Sequence, residues 1–158
     1  MIAILYNIRS IHNVGSIFRT ANGAGIEKIY LCGITPSPVD SLGKPVEKFT
    51  KVSLGAEQTL LWEKVRSCAG LLARLKKEGY RIYALEQDRN SMPYYTVHFT
   101  DEEWEKTALV AGHERTGISR ALLKRADKIL EIPMHGSKES LNVAVAFGIA
   151  AYHLRHTE

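Results

Sequence analysis

Short apolar runs, each closed by a turn residue, alternate along this chain with segments whose apolar residues return every three or four positions. No other feature constrains the fold so much. Strands that alternate with helices mean an α/β domain with a mostly parallel sheet. The strand-like runs are Ile2 to Tyr6, Lys28 to Cys32, Tyr80 to Leu85, Thr107 to Ala111 and Lys128 to Ile132. The first helix is expected over Val14 to Ala24, where Val14, Ile17, Phe18 and Ala21 share one face and Gly25 is the stop. Ser67 is expected to cap a second helix that runs to Lys77, with Gly79 just past its end. Ser119 is expected to cap a short helix through Arg125. From Leu141 to about His156 the pattern is again helical, and strongly apolar.

With 158 residues, 45% of them apolar, the chain is long enough for one well-filled domain over 1–158 and is not a disordered chain. Two long segments resist the alternation. Ile34 to Leu54 holds Pro36, Pro38 and Pro45, and Asp88 to Glu103 holds Pro93. Loops of that length in a compact domain are usually functional or mobile. In open α/β sheets a ligand sits beyond the carboxyl ends of the strands, which directs attention to the turns after Ala111 and Ile132.

Three stretches carry the polar residues of interest. The first, Asn7 to Thr20, follows a strand and opens a helix. In it Asn13 can cap, Gly15 lets a backbone or ligand come close, and Arg19 lies just over one turn into the helix. The second is Leu109-Val110-Ala111-Gly112-His113-Glu114-Arg115-Thr116-Gly117-Ile118-Ser119. Its glycine spacing imitates a nucleotide-binding loop, but Ile118 stands where the phosphate-binding lysine is required, which argues against nucleotide hydrolysis. By position alone, Glu114 accepts hydrogen bonds near the start of the Ser119 helix. The third runs from Ile132 to Ala146. Capping accounts for one of Ser140 and Asn142 at the start of the last helix, and less easily for both.

Other classes lose support. His12, His113 and His135 each fall in one of these stretches, but no metal-binding histidine spacing occurs and no metal is expected. No G-x-G-x-x-G follows a strand. Cys32 and Cys68 form no C-x-x-C pair and read as buried free thiols. The N-terminus has no signal-peptide pattern and no run approaches a membrane span, so a cytoplasmic protein is expected. The formal charge is +4. That permits a polyanionic partner without proving one. No acidic residue precedes Glu27, whereas Arg9 and Arg19 do.

Together the three stretches resemble the signature motifs of the SpoU (TrmH-like) branch of the SPOUT RNA methyltransferases, in order and over nearly the whole chain. The first motif is matched by Asn13, Gly15 and Arg19, with Asn7 upstream. G-x-E-x-x-G is matched by Gly112, Glu114 and Gly117. The last is matched by Pro133, Met134, Gly136, Ser140, Leu141, Asn142, Val143 and Ala146. One departure is His113, which stands where many members carry Asn.

The resemblance implies a C-terminal deep trefoil knot, a rare exception to unknotted topology. It implies S-adenosylmethionine as cofactor, a homodimer whose subunits share the active sites, and an RNA ribose 2′-hydroxyl as methyl acceptor. Leu109, Gly112, Ile132, Met134, Gly136 and Leu141 are the expected cofactor contacts. Arg19, Asn13, Glu114, Ser140 and Asn142 are the expected catalytic set. Arginine stays protonated below a pKa of about 12. Arg19 is therefore either a base assisted by substrate phosphate or a cation that fixes the phosphate and stabilises the alkoxide. With no appended RNA-binding domain expected, tRNA is the first substrate class and rRNA the alternative. Methylation of a base, and an RNA-binding module without catalysis, are the other readings. The last helix, with Leu141, Val143, Val145, Phe147, Ile149, Ala150, Ala151 and Leu154, carries more apolar surface than one stripe and is expected to pack on both the sheet and a partner.

Overall fold

In a computed structural model of the protein, which describes residues 1–156, seven parallel strands form one sheet. The chain runs β1 (Ile2–Tyr6), α1 (Ile11–Gly23), β2 (Lys28–Cys32), α2 (Glu47–Ser53), α3 (Ala56–Thr59), β3 (Leu61–Val65), α4 (Cys68–Lys77) and β4 (Arg81–Leu85). It continues through β5 (Met92–Pro93), a single 3-10 turn (Tyr94–Thr96), α5 (Asp101–Glu105), β6 (Thr107–Ala111), α6 (Arg120–Leu123), β7 (Lys128–Glu131) and α7 (Val143–Arg155). The spatial order is β3-β2-β1-β6-β4-β7-β5. Thus β6 enters between β1 and β4, and β7 enters between β4 and β5. The two strands formed last fill gaps between strands laid down earlier.

Strand alternation divides the core between the two faces of the sheet. Ala3 and Leu5 of β1 pack with Val14, Ile17 and Phe18 of α1 and Phe147, Ala150 and Leu154 of α7. Ile2 and Ile4 point the other way, with Leu71, Leu72 and Leu75 of α4 and Leu122 of α6. Helices therefore cover both faces, as a parallel sheet requires. Cys32 and Cys68 are buried free thiols in the second layer.

The structure corrects several boundaries. Helix α1 starts at Ile11 because Ser10, not Asn13, caps it: the Ser10 hydroxyl accepts from the Asn13 amide. Helix α7 starts at Val143, with Asn142 as its cap. Strand β3 was not anticipated. It lies at the sheet edge, where Leu61 is exposed, and so lacks the apolar signature of its buried neighbours. The two proline-bearing segments are also more ordered than expected. One contains α2; the other contains β5, the 3-10 turn and α5, whose Thr100–Glu103 capping box stands in the sequence.

Candidate active site

Beyond the carboxyl ends of β4, β6 and β7 lies a pocket of about 290 Å³. Leu85, Ala111 and Leu130 supply its wall at the strand ends, and Leu141 and Val143 close it from the start of α7. Four acidic residues also line it, Glu86, Glu114, Glu131 and Glu139. Its position follows from topology: here the inserted strands β6 and β7 end on either side of β4, and the connections after them leave the sheet at its carboxyl edge.

The glycine turn after β6 is shaped by close approach. A side chain at Gly112 would meet Ile118 Cγ1 at 2.6 Å and the Gly117 carbonyl carbon at 2.7 Å, so the two ends of the turn touch only because Gly112 has none. Gly117 has φ +63°, in the left-handed region, and a Cβ there would overlap the Glu86 carboxylate. That carboxylate accepts from the Ile118 amide at 2.8 Å and the Gln87 amide at 2.9 Å. Within the turn, His113 Nδ1 accepts from the amides of Arg115 and Thr116, at 3.0 and 3.3 Å. A neutral imidazole with Nδ1 bare performs the turn-forming role of an asparagine oxygen. The departure at His113 thus leaves the local hydrogen bonding served.

Glu114 does not serve the Ser119 helix, as its position in sequence suggested. It reaches across the sheet ends to the start of α1, where its carboxylate accepts from the Arg9 amide at 3.1 Å, the Ser10 amide at 2.9 Å and Asn13 Nδ2 at 3.2 Å. An anion is favoured there by the helix dipole and the unpaired amides. Burial pushes the Glu114 carboxyl upward, but hydrogen bonds from the Ser10, Arg9 and Glu114 amides and from Asn13 outweigh it, and the pKa falls below its usual value.

The contact continues. Because ionised Glu114 can only accept, Asn13 must turn its nitrogen toward it and its oxygen away. That oxygen accepts from Asn142 Nδ2 at 3.0 Å. The Asn142 oxygen in turn accepts from the amides of Ala144 at 2.9 Å and Val145 at 3.4 Å, at the start of α7. One carboxylate thereby fixes the orientation of two amides and joins the start of α1 to two segments more than a hundred residues further along the chain.

The structure brings only some of the expected residues to the pocket. Gly112, Glu114, Ile132, Ser140 and Leu141 line it, and Asn13 and Asn142 stand behind it through the hydrogen-bond chain. Leu109 does not line it: fully buried in β6, it points into the first core layer two residues before the strand ends. Met134 and Gly136 are also off its wall, and Gly136 is exposed with open space around its Cα. Arg19 is exposed and lines a separate hollow with Lys51 and Tyr152. Glu86, Gln87, Glu131 and Glu139 were missed. Glu86-Gln87 directly follows a strand end, which the carboxyl-end rule marks. Gln87 Nε2 also donates to the Glu139 carbonyl at 2.7 Å, tying that strand end to the segment before α7. Asn7, with φ +54°, accepts from the Ile34 amide and joins the ends of β1 and β2.

A family model described as the SpoU rRNA methylase family matches residues 1–152. The chain is 30% identical over 152 residues to a tRNA (guanosine(18)-2′-O)-methyltransferase of Aquifex aeolicus, covering 96% of this chain and 67% of that protein. It is 32% identical over 143 residues to a 23S rRNA (guanosine(2553)-2′-O)-methyltransferase of Bacillus subtilis, covering 90% and 53%. The chain thus spans about half to two thirds of the length of these curated relatives. Among solved structures, an AdoMet-bound rRNA methyltransferase from Sinorhizobium meliloti superposes with TM-score 0.82 at 25% identity, over 96% of this chain and 54% of that one. A structure that gives insight into the 2-OH methylation of C/U34 on tRNA superposes with TM-score 0.78 at 28% identity, over 96% and 91%.

Proposed function

The chain belongs to the SpoU rRNA methylase family, and from that premise we propose that it is an RNA ribose 2′-O-methyltransferase that uses S-adenosylmethionine, with tRNA as its first substrate class. The observation that carries this is the Glu114–Asn13–Asn142 chain, which locks the three polar stretches into one arrangement beside a pocket.

The residues present fit the cofactor. The pocket lies at the lower edge of the roughly 300–1,000 Å³ typical of small-ligand sites. Apolar side chains suit a purine, the side-chain-free turn at Gly112 exposes backbone groups, and the carboxylates suit a cation. When bound, S-adenosylmethionine supplies an activated methyl group on a sulfonium. The protein's part is then to align the acceptor, exclude water and handle a proton. Gly112, Ile132 and Leu141 would hold the cofactor, and Glu114 would favour its positive charge. Arg19 has no hydrogen bond or ion pair to another described residue, so its charge is free to meet an anion. Its role here is that of a cation that fixes the substrate phosphate and stabilises the developing alkoxide.

Arg19 and the pocket occupy different hollows of one chain. The same proposal therefore includes a homodimer in which Arg19 of one copy serves the pocket of the other. On α7, Phe147, Ala150, Ala151 and Leu154 are buried, while Val145 and Tyr152 stay exposed and Ile149 half-buried beside them. That leftover stripe suits a second copy. A knot is also part of the proposal, supported by the late insertion of β6 and β7 between earlier strands. So is a cytoplasmic location. An rRNA substrate is the second reading, favoured by the 32% identical relative that acts on 23S rRNA.

The deciding experiment incubates purified protein with methyl-labelled S-adenosylmethionine and total RNA from cells lacking the gene. The label is expected on ribose, in alkali-resistant dinucleotides of the tRNA fraction. Label on a base, or none on any RNA, refutes the reading; label in rRNA selects the alternative.

A further inference from the structure

The hollow that contains Arg19 lies between α1, α2 and α7. From α1 it takes His12, Ser16, Arg19 and Thr20, which recur at helical spacing on the side away from the buried Val14, Ile17, Phe18 and Ala21. From α2 it takes Lys51, and from α7 Tyr152. No carboxylate of a described residue lines it. Arg19 has no partner among the described residues. Lys51 has one, Glu47, a turn earlier on the same helix at 2.7 Å, and both side chains are mostly exposed. Such a surface pair is weak and yields readily to a better anion. Two cations from two helices, with hydroxyls between them, make a surface complementary to a phosphate of the nucleic-acid backbone.

Lys51 stands there for a reason visible at Gly15. A Cβ on Gly15 would come within 3.1 Å of the Phe49 carbonyl oxygen and 3.1 Å of Val52 Cβ. The backbone of α2 therefore rests against α1 where a side chain is missing. Phe18 and Phe49 fix the approach edge to face, with ring centroids 5.0 Å apart. A methyl group at position 15 requires α2 to give by a few tenths of an ångström, and a bulkier side chain by more.

Resting on the RNA methyltransferase reading, we propose that this hollow seats a phosphodiester of the substrate RNA, with Lys51 as a second cation beside Arg19 and Gly15 as the positioning residue that keeps α2 within reach. Substrate binding then depends on α2, an element outside the three polar stretches. The seat recognises backbone charge, so its contribution is independent of base sequence.

The test uses the whole protein and a fluorescein-labelled single-stranded oligoribonucleotide, followed by anisotropy across a salt series. In Lys51→Ala the affinity should fall several-fold, and the slope of log affinity against log salt should shrink by about 0.7, the value for one phosphate contact on a single strand. Lys51→Arg should restore both. With the methyl-accepting RNA, Lys51→Ala should raise KM several-fold at nearly constant kcat and unchanged S-adenosylmethionine affinity. Gly15→Ala should weaken RNA binding less than Lys51→Ala does, and its effect should vanish in the Lys51→Ala background. Should Gly15→Ala fail to fold, the Lys51 variants still decide, because Lys51 is exposed. Parental affinity and salt slope in Lys51→Ala overturn the proposal. So does a loss of affinity that coincides with a smaller sedimenting species, which would show that the hollow is covered by protein. A parent enzyme that transfers no methyl group refutes the methyltransferase reading instead, and the anisotropy arm still decides on the seat.

Discussion

Replacing Glu114 with Gln changes one oxygen to nitrogen, yet it must set a donor against a donor at the head of the hydrogen-bond chain. The carboxylate accepts three hydrogen bonds and donates none. A Gln amide offers one oxygen and one NH₂, so one of the donors at Arg9, Ser10 or Asn13 must face another donor. If Asn13 flips to accommodate it, Asn13 Nδ2 confronts Asn142 Nδ2. If Asn142 flips as well, the cap on Ala144 and Val145 is lost. The smallest damage, with the Gln nitrogen set against the Arg9 amide, is one charge-assisted hydrogen bond, about 1.5–3 kcal/mol, and either flip adds to it. Glu114 is only half-buried, so about 2–3 kcal/mol is expected, which for a chain of this size lowers Tm by roughly 4–12 °C. Thermal unfolding followed by circular dichroism at neutral pH measures this. The acid limb provides an independent check. Because the folded-state pKa is lowered, the stability from Glu114 is fully present above the ordinary carboxyl value of about 4.3 and is lost as pH falls through the folded value. The Tm difference between parent and Glu114→Gln should therefore narrow below about pH 4. Equal melting at neutral pH, or a gap that stays constant into strong acid, refutes the reasoning.

Arg19→Ala should abolish methyl transfer in single-turnover kinetics while leaving S-adenosylmethionine affinity nearly unchanged, since Arg19 and the pocket are separate. Arg19→Lys should also be badly impaired, because the two-pronged guanidinium contact is lost. Gly117→Ala should cost about 1–2 kcal/mol for its left-handed backbone, displace the Glu86 carboxylate and weaken cofactor binding by calorimetry. Val145→Glu should shift the sedimentation equilibrium toward monomer with little loss of Tm, as expected for a side chain left half-exposed by its own chain.

Much of the fold was legible because the buried strands announce themselves. All five runs named from sequence became strands, and β1, β2 and β6, buried on two faces, are the most continuously apolar. What escaped lies at the edges. Leu61-Trp62-Glu63-Lys64-Val65 mixes charge with apolar residues because one side of the strand is unpaired. Met92-Pro93 pairs over two residues only. Of the expected site residues, Gly112, Glu114, Ile132, Ser140 and Leu141 line the pocket, since they follow strand ends or precede a helix. The destination of Glu114 was not legible. Sequence spacing ties a carboxylate to the nearest helix start, at Ser119, whereas the sheet order places β6 beside β1 and hence the turn after β6 beside the start of α1. Leu109 stands off the pocket wall for a simpler reason: strand alternation turns it into the core, and from β6 the pocket begins at its last residue, Ala111.

The hydrogen-bond chain also governs how variants here should be interpreted. Glu114, Asn13 and Asn142 stabilise two helix starts and at the same time orient the groups beside the pocket. Substitution at any of them perturbs folding and chemistry together, so lost activity alone does not identify a group that touches substrate. Arg19 differs in kind. Its side chain is exposed and makes no hydrogen bond or ion pair within the described chain, so truncating it breaks no polar contact. Substitutions of that sort usually change stability by no more than about 0.5 kcal/mol. An Arg19→Ala protein that melts with the parent yet transfers no methyl group would separate catalysis from architecture, which no variant along the Glu114–Asn13–Asn142 chain can do.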